Sequence, residues 1–547
     1  MAQPRPSEDE LFGGKPEAPK TAPAPSGSAA PPGSASAAPP AGAPGATPPT
    51  APAGAARGEA EPPAAQAPEA PPATSGAPPP SPANQGAATD ARDASILGGK
   101  ESAMFTEEAA PSDPLRIGGQ IYLRSQMTAL RGQRFVDYSF STPALADAYF
   151  DARPNDRVRG FVLGRMIYDP TLPATAGGGT GSLQASGGTS GSANLSSLFS
   201  RGTRTPSVVL DQLWLRFDVA HTVFVTAGKQ HVRWGTGHFW APTDFLHLRF
   251  RNPLDVFDAR TGTTMIKLHV PIESKAWNFY AYGVTENNDA TQNLSRIGGA
   301  ARAEFVVDAA EFGIGAFVRR DQDPKIAADL SVGIDDFDVY GELALKNSSE
   351  IDRVRYDPTG SGGRAADTTA SLDVQVRQAA DAYFPAYREH DYRPQAVGGL
   401  SYSRKYNDND TFTVGAEYFY NGLGYDDPNA YLGLVVPHTY DLSQPAPFFY
   451  LGRHYGALYV TFPAPFKLDL HTFTLSTLGN LSDKSFITRL DYSLVLLTHL
   501  TFQAFASARY GNPEGEFRFG VNKTLGAVPI SFAPAIFDLG LALRLAI

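Results

Sequence analysis

The stretch that decides the fold is the last one, Ala535–Ile547, "AIFDLGLALRLAI". Phe537, Leu539, Leu541, Leu543, Leu545 and Ile547 alternate strictly with Asp538, Gly540, Ala542, Arg544 and Ala546. Side chains on a β-strand point alternately to opposite faces, so a repeat of two gives one apolar face and one polar or small face. A helix would put Asp538 and Leu541 on one stripe. The segment reads as a strand.

The same rhythm runs back through the chain. From Leu115, "LRIGGQIYLRSQM" sets Ile117, Ile121 and Leu123 against Arg116, Gln120, Tyr122 and Arg124. "QLWLRFDV" (212–219), "FDVYGELALK" (337–346) and "TRLDYSLVL" (488–496) repeat the pattern. These segments are about 9–14 residues long, against five or six for an average globular strand. That length suits a tilted strand crossing a bilayer. No window holds 18 uncharged apolar residues, so no helical span is expected.

The connections carry the second half of the argument. Tight ones, "RPND" (153–156), "AH" (220–221), "DD" (335–336) and "NDND" (407–410), alternate with longer ones, 170–205, 237–261 and 348–393. A soluble sandwich has no reason to segregate its loop lengths. The expected fold is all-β, a transmembrane antiparallel up-and-down β-barrel of about 18 strands over residues 114–547. Tyr168, Trp234, Tyr282, Tyr406, Tyr420, Tyr459 and Tyr510 are expected near strand ends as interfacial girdles.

Residues 1–113 are different in kind, dominated by Ala, Pro, Gly and Ser. Such a segment buries too little apolar area to offset chain entropy, so a disordered arm is expected. Met1 runs into "AQPRPSEDE" with neither the basic start nor the apolar core of a signal peptide. For a barrel the expectation is a leader upstream, both barrel termini in the periplasm, and the arm reaching a periplasmic or cell-wall partner.

Composition narrows the chemistry. The 547 residues include no cysteine, which removes thiolate nucleophiles, disulfides and Cys-type zinc sites. The formal charge is −10, and no nucleic-acid partner is expected. The stretch that invites a chemical reading is "GKQHVRWGTGHFWAPTDF", Gly228–Phe245. His231 and His238 are followed by Asp244 and His247, but Lys229, His231 and Arg233 would repel a divalent ion. No nucleophile neighbours His231, as a hydrolase triad requires. No metal, no cofactor and no enzymatic activity are expected. The alternative is geometric: Lys229, His231 and Arg233 share the inner face of a strand that ends at Gly235, with Val232 and Trp234 toward lipid, and 236–261 form an external loop.

Residues 114–547 resemble bacterial outer-membrane porins in architecture. The string Lys229–Phe245 is also similar to a stretch of uncharacterised porin-like barrels, R/K-Q-x-x-x-W-G-x-G followed by P-x-D. The C-terminal strand looks like the assembly signal of that class, which usually ends in Phe where Ile547 stands here. The resemblance implies passive diffusion of small polar solutes across an outer membrane, through a monomer or homo-oligomer embedded in lipid. It also implies an external loop folded into the channel. His238, Trp240, Asp244, Arg249, Arg251, Asp255 and Asp258 are the candidates for that constriction. The pore wall would carry Arg116, Arg124, Arg157, Arg159, Arg165, Arg216, Lys229, His231 and Arg233, against Asp147, Asp151 and Asp218. A basic wall in a narrow low-dielectric pore enriches anions, so carboxylated solutes are expected to be favoured. The alternatives are a polysaccharide-export barrel, with Tyr122, Trp214 and Tyr340 on lumen faces, and a plugged structural barrel.

Overall fold

The computed structural model describes residues 114–171, 206–247, 250–254, 260–286, 294–350, 352–362, 369, 372–406, 410–434, 449–526 and 528–547. The arm expected over 1–113 and the Gly/Ser-rich stretch 172–205 lie outside them. The alternating segments become 18 long strands. The first six are β1 (Leu115–Leu130), β2 (Ala144–Asn155), β3 (Val158–Tyr168), β4 (Ser207–Val219), β5 (Val223–Gln230) and β6 (Thr263–Ile272). Then come β7 (Trp277–Val284), β8 (Gly298–Val307), β9 (Ala310–Arg319), β10 (Gln322–Ile334), β11 (Phe337–Asn347) and β12 (Tyr392–Lys405). The last six are β13 (Thr411–Asn421), β14 (His454–Pro463), β15 (His471–Asn480), β16 (Ser485–Leu497), β17 (Leu500–Gly511) and β18 (Ala535–Ala546).

Each strand pairs antiparallel with its chain neighbours, and β18 pairs with β1 from Ala546↔Gln120 to Ala535↔Leu130. The ring is closed. Ile547 exchanges backbone hydrogen bonds with Gly119 at 2.9 and 3.1 Å, so the last residue is stitched into the first strand. Closure removes the unpaired strand edges that a bilayer cannot solvate.

The two faces have the polarity of a membrane barrel. Outward positions hold Leu541 (55% exposed), Leu123, Leu215, Ile314 and Leu458. Inward positions hold Asp538, Asp147, Asp329, Glu342 and Glu417, all buried. A water-soluble fold would place these sets the other way round.

One mouth carries the turns 156–157, 220–222, 273–276, 308–309, 335–336, 406–410, 464–470 and 498–499, and both barrel termini emerge there. Left-handed backbone at Ala220, His221, Asp308 and Asp335 makes such tight hairpins. The other mouth carries the strand ends joined by the longer connections 131–143, 169–206, 231–262, 285–297, 348–391, 422–453 and 512–534. The connections 320–321 and 481–484 on that side are short.

Several long connections fold inward. The helix α1 (Leu372–Tyr383) brings Ala379 and Ala380 to a cluster with Tyr431, Leu432, Phe449, Leu451, Phe517 and Val528. This cluster packs on inner-face side chains of β12–β16: Val397, Phe419, Tyr455, Leu478 and Ile487. The girdle expectation needs correction at three places. Trp234, Tyr282 and Tyr459 are 1%, 6% and 1% exposed and point inward. Tyr282 is paired with Lys267 and Tyr459 with Ser476, both inner-face positions, and Trp234 lies beyond the end of its strand. Tyr406 and Tyr510 are exposed, as girdle residues must be.

Candidate functional site: the inner wall and the inward loop

The inner faces of β18, β1, β2, β3 and β4 are joined by one polar ladder. Arg544 Nε donates to Gln120 Oε1 at 2.9 Å, and Gln120 Nε2 donates to Asp147 Oδ2 at 2.8 Å. Arg165 grips Asp147 with two bonds at 2.9 and 3.1 Å, and its Nη2 lies 3.5 Å from Asp211. Asp211 in turn meets His231 Nε2 at 3.2 Å. Nearer the short-turn mouth, Asp151 is held by Arg159 (2.8 and 3.0 Å) and Arg153 (3.1 Å), and Arg157 pairs with Asp218 at 3.0 Å. Bidentate arginine–carboxylate pairs of this kind fix geometry as well as charge. Asp211 enters the ladder because β4 bulges there: Leu163 pairs with Gln212 and Gly164 with Leu210, leaving Asp211 between.

The segment 231–247 leaves this wall and crosses the interior. Trp234 packs on Tyr282 of β7 and lies under the Arg302 guanidinium of β8, 5.6 Å from it. The backbone N–H groups of Thr236 and Gly237 then donate to Glu342 Oε1 on β11 at 2.7 and 2.6 Å. The N–H groups of His238, Phe239 and Trp240 converge on Glu417 of β13 at 2.7, 3.1 and 2.9 Å. Tyr340 Oη completes that carboxylate at 3.0 Å. Trp240 stacks on Phe419 at 5.6 Å and donates Nε1 to the Phe449 carbonyl at 3.2 Å. Thr243 returns to Glu342 with its hydroxyl at 2.7 Å. In the ring of 18 strands, β13 stands eight places from β5, almost diametrically opposite.

Two glycines make the crossing possible. Gly235 has φ +96°, and a Cβ there would collide with the Glu342 carboxylate. A Cβ on Gly237 would meet the Trp240 carbonyl. Only glycine lets the backbone approach an acceptor this closely at that conformation. The other residues of the stretch have equally local reasons. Gln230 Nε2 bonds the Thr226 and Met265 carbonyls at 3.3 Å each, and Asp244 pairs with Arg260 at 3.1 Å.

The structure rearranges part of the sequence-based reading. The strand expected to run to Gly235 ends at Gln230. His231 and Arg233 therefore owe their inward position to the turning chain, not to strand parity. Arg233 Nη2 bonds the Gly237 carbonyl, and the His231 and His247 rings lie 5.5 Å apart. Lys229, expected on the inner face, is paired with Leu213 and Thr264, the outward register, and its ammonium meets Glu286 at 2.8 Å. Arg116 is exposed opposite Asp151, Arg124 lies 4.6 Å over the Phe505 ring, and Arg216 lies 5.4 Å over Phe224. In the loop, His238 sets its ring edge-on to Tyr340 at 4.8 Å, and Arg251 Nη1 bonds the His238 carbonyl at 3.3 Å. Arg249, Asp255 and Asp258 lie outside the described residues. His231 and His238 are engaged separately, His231 with Asp211 and His238 with Tyr340.

Glu342 and Glu417 are the residues the sequence reading missed. Their signal emerges only with the register. Glu342 is flanked in register by Asp329 and Val397, and Glu417 by Gly399 and Ala457, so neither has a cation beside it. A buried carboxylate without a neighbouring cation needs donors from elsewhere.

No protein-family model matches the chain, and no curated protein sequence does. Among solved structures, the chain is similar to a Rhodopseudomonas blastica porin triple mutant, at 10% identity over 79% of this chain and 100% of that one, with a TM-score of 0.37. Two Pseudomonas aeruginosa structures, OccK8 (OprE) and OccK11 (OpdR), are each 9% identical over 79% of this chain and 98% and 96% of theirs, with TM-scores of 0.42 and 0.40. Overlap at that level adds nothing to the strand pairing itself, which alone carries the barrel.

Proposed function

We propose that this barrel is an outer-membrane channel for passive diffusion of small polar solutes, narrowed by residues 231–247. The observation that carries the reading is the path of that segment from β5 across the interior to Glu342 and Glu417. A loop held on the far wall by five backbone N–H groups would narrow the lumen that it crosses. The lumen on the β1–β6 side is bounded by a wall of arginine–aspartate pairs, a hydrated surface suited to polar solutes. We assign an anion preference to it, because Arg216 and Lys267 of this wall have no carboxylate within ion-pair distance among the described residues. The polysaccharide reading draws no support from Tyr340, which is 3% exposed and engaged by Glu417 and His238.

Conductance in planar bilayers, with reversal potentials in a salt gradient, tests this. Discrete open channels with anion-selective reversal are expected. A protein that inserts and conducts nothing overturns the channel, and cation selectivity overturns the charge assignment.

A further inference from the structure

We infer that the barrel wall is notched between β4 and β6, and that the notch is a sideways exit from lumen to membrane for single-chain amphiphiles with an uncharged, hydroxylated head. The inference goes beyond the polar-solute reading, adding a second route and a second solute class.

The notch follows from the path of the chain. β5 leaves the wall after Gln230, and its pairing with β4 ends at Leu213↔Lys229. The chain returns at Gly262, whose N–H reaches the Asp211 carbonyl at 3.1 Å. Beyond that point β4 still pairs with β3, Leu210 with Gly164 and Ser207 with Ile167. On its other side, Ser207–Leu210 has no strand beside it among the described residues. This open edge spans about 13 Å at the rise of an extended strand. Val208 (77% exposed), its cross-strand partner Met166, and Leu210 present apolar side chains on the outer face there. A strand edge in lipid leaves backbone N–H and C=O groups that hydrocarbon cannot satisfy. A hydrogen-bonding head group in transit satisfies them.

The floor of the notch is polar on both sides of the wall. Lys229 stands in the outward row of Leu213 and Thr264, and its ammonium pairs with Glu286 at 2.8 and 2.9 Å. Glu286 also accepts from the Thr264 N–H and hydroxyl at 2.7 and 2.8 Å. Ionised groups on a lipid-facing row are costly, and they mark places where polar atoms pass. On the lumen side, His231 meets Asp211 at 3.2 Å, and Arg165 lies 3.5 Å from the same carboxylate. Polar groups thus stand on both sides of the wall beneath an apolar edge. On each side cation already faces carboxylate, so the doorway offers donors and acceptors without a net charge to hold an ion. An uncharged head with hydroxyls matches that floor, and an alkyl chain matches Val208, Leu210 and Met166.

The test uses the full-length barrel in phospholipid vesicles with a monoacylglycerol that carries a diazirine in its acyl chain, photolysed and mapped by mass spectrometry. Labelling is expected at Val208, Leu210 and Met166, and on the lumen side at His231, about fivefold above the outward positions Ile314 and Leu458, the separation one net hydrogen bond provides. Excess unlabelled monoacylglycerol should abolish it, and the fatty acid of the same chain length should compete several-fold less well. Leu210→Trp, which fills the notch, should keep the barrel folded by heat-dependent gel mobility, retain labelling at Val208 and lose it at His231. Equal labelling around the outer face, or none at His231, leaves ordinary lipid contact and overturns the exit. So does undiminished His231 labelling in the folded Leu210→Trp barrel, which would have come through the pore. Disulfide-linked pairs of Val208→Cys barrels, with the notch unlabelled, would give it to a second copy of the chain instead, and equal competition by the fatty acid overturns the uncharged head. The readout needs no current. A barrel labelled as expected that does not conduct keeps the exit and sinks the channel, and one that conducts without that labelling does the reverse.

Discussion

Two parts of the inner wall follow one alternation and solve the same problem in opposite ways. On β1–β4 the buried carboxylates Asp147 and Asp151 are satisfied by arginines on the next strand, Arg165 and Arg159. On β11–β13 the buried carboxylates Glu342 and Glu417 are satisfied by backbone N–H groups of a segment arriving from β5. The first arrangement holds the cylinder together, and the second holds something inside it. Period-two patterning tells which residues point inward, but it is silent on what they meet there. The partner decides whether an inner carboxylate is wall or anchor.

The comparison breaks most visibly if the crossing segment is removed. Replacing Thr236–Leu246 by a short glycine linker should raise single-channel conductance several-fold, with the barrel still folded by its heat-dependent gel mobility. Unchanged conductance would mean the segment does not limit flow.

Next in size are paired substitutions on the two walls. Asp147→Asn leaves Arg165 partly uncompensated, and breaking a buried pair costs on the order of 3–5 kcal/mol. It should lower the unfolding temperature and leave conductance close to wild type. Glu417→Gln removes charge-assisted bonds worth about 1.5–3 kcal/mol each. It should release the inward loop, with larger, noisier currents, the effect that Asp147→Asn lacks. Identical consequences for the two variants would erase the distinction.

A smaller effect is expected at Gly235→Ala. The left-handed backbone costs a non-glycine residue roughly 1–2 kcal/mol, and the added methyl collides with Glu342. Faster hydrogen exchange at the Thr236 and Gly237 amides, with unchanged exchange in β1–β4, is the outcome that checks it.

The smallest effect is a pH dependence on the covered side of the lumen. Glu516, in the 512–534 connection, accepts from Tyr455 Oη at 2.6 Å, Asn480 Nδ2 at 2.8 Å and the Leu451 N–H at 3.3 Å. Burial, and then the neighbouring Asp483 carboxylate, push its carboxyl up to about 7 from 4.5. Burial raises Asp483 as well, and the Tyr431 phenol faces the same pair. A carboxyl whose pKa is raised on folding favours the folded contact when protonated. The stabilisation is full below about pH 4.5 and is lost as pH rises through about 7. Exchange at the Leu451 amide, corrected for its intrinsic rate, should therefore accelerate between pH 5 and 8. Glu516→Gln should flatten the profile, and a profile that persists in the variant would assign the effect elsewhere.

Much of the molecule could be read before the structure. Strand parity, strand length and segregated turns were all local properties, and Ala535–Ile547 displayed them in one segment. The ladder was half legible: Arg165 and Asp147 were both assigned inward, but their partnership depends on register. Lys229 was misplaced because the alternation was carried past Gln230 through residues that are no longer strand. Trp234 was misplaced for the same reason. Glu342 and Glu417 stayed hidden because their partners lie about 100 and 180 residues away in sequence, a separation no periodicity can bridge. The motif around Gly235 was visible as a string, and its cause was not: glycines that let a chain turn pass against a carboxylate on the far side of the barrel.

The claim most directly open to measurement is that this chain turn crosses the lumen. Phe239, in the loop, lies with its ring 5.7 Å from that of Tyr459 on β14, across the barrel from β5. The chain has no cysteine, so a Phe239→Cys/Tyr459→Cys variant carries only the intended pair. Treated with the short fluorogenic cross-linker dibromobimane, it is predicted to form the intramolecular bridge in the folded barrel. Labelling of each single cysteine without bridging in the pair would contradict the crossing.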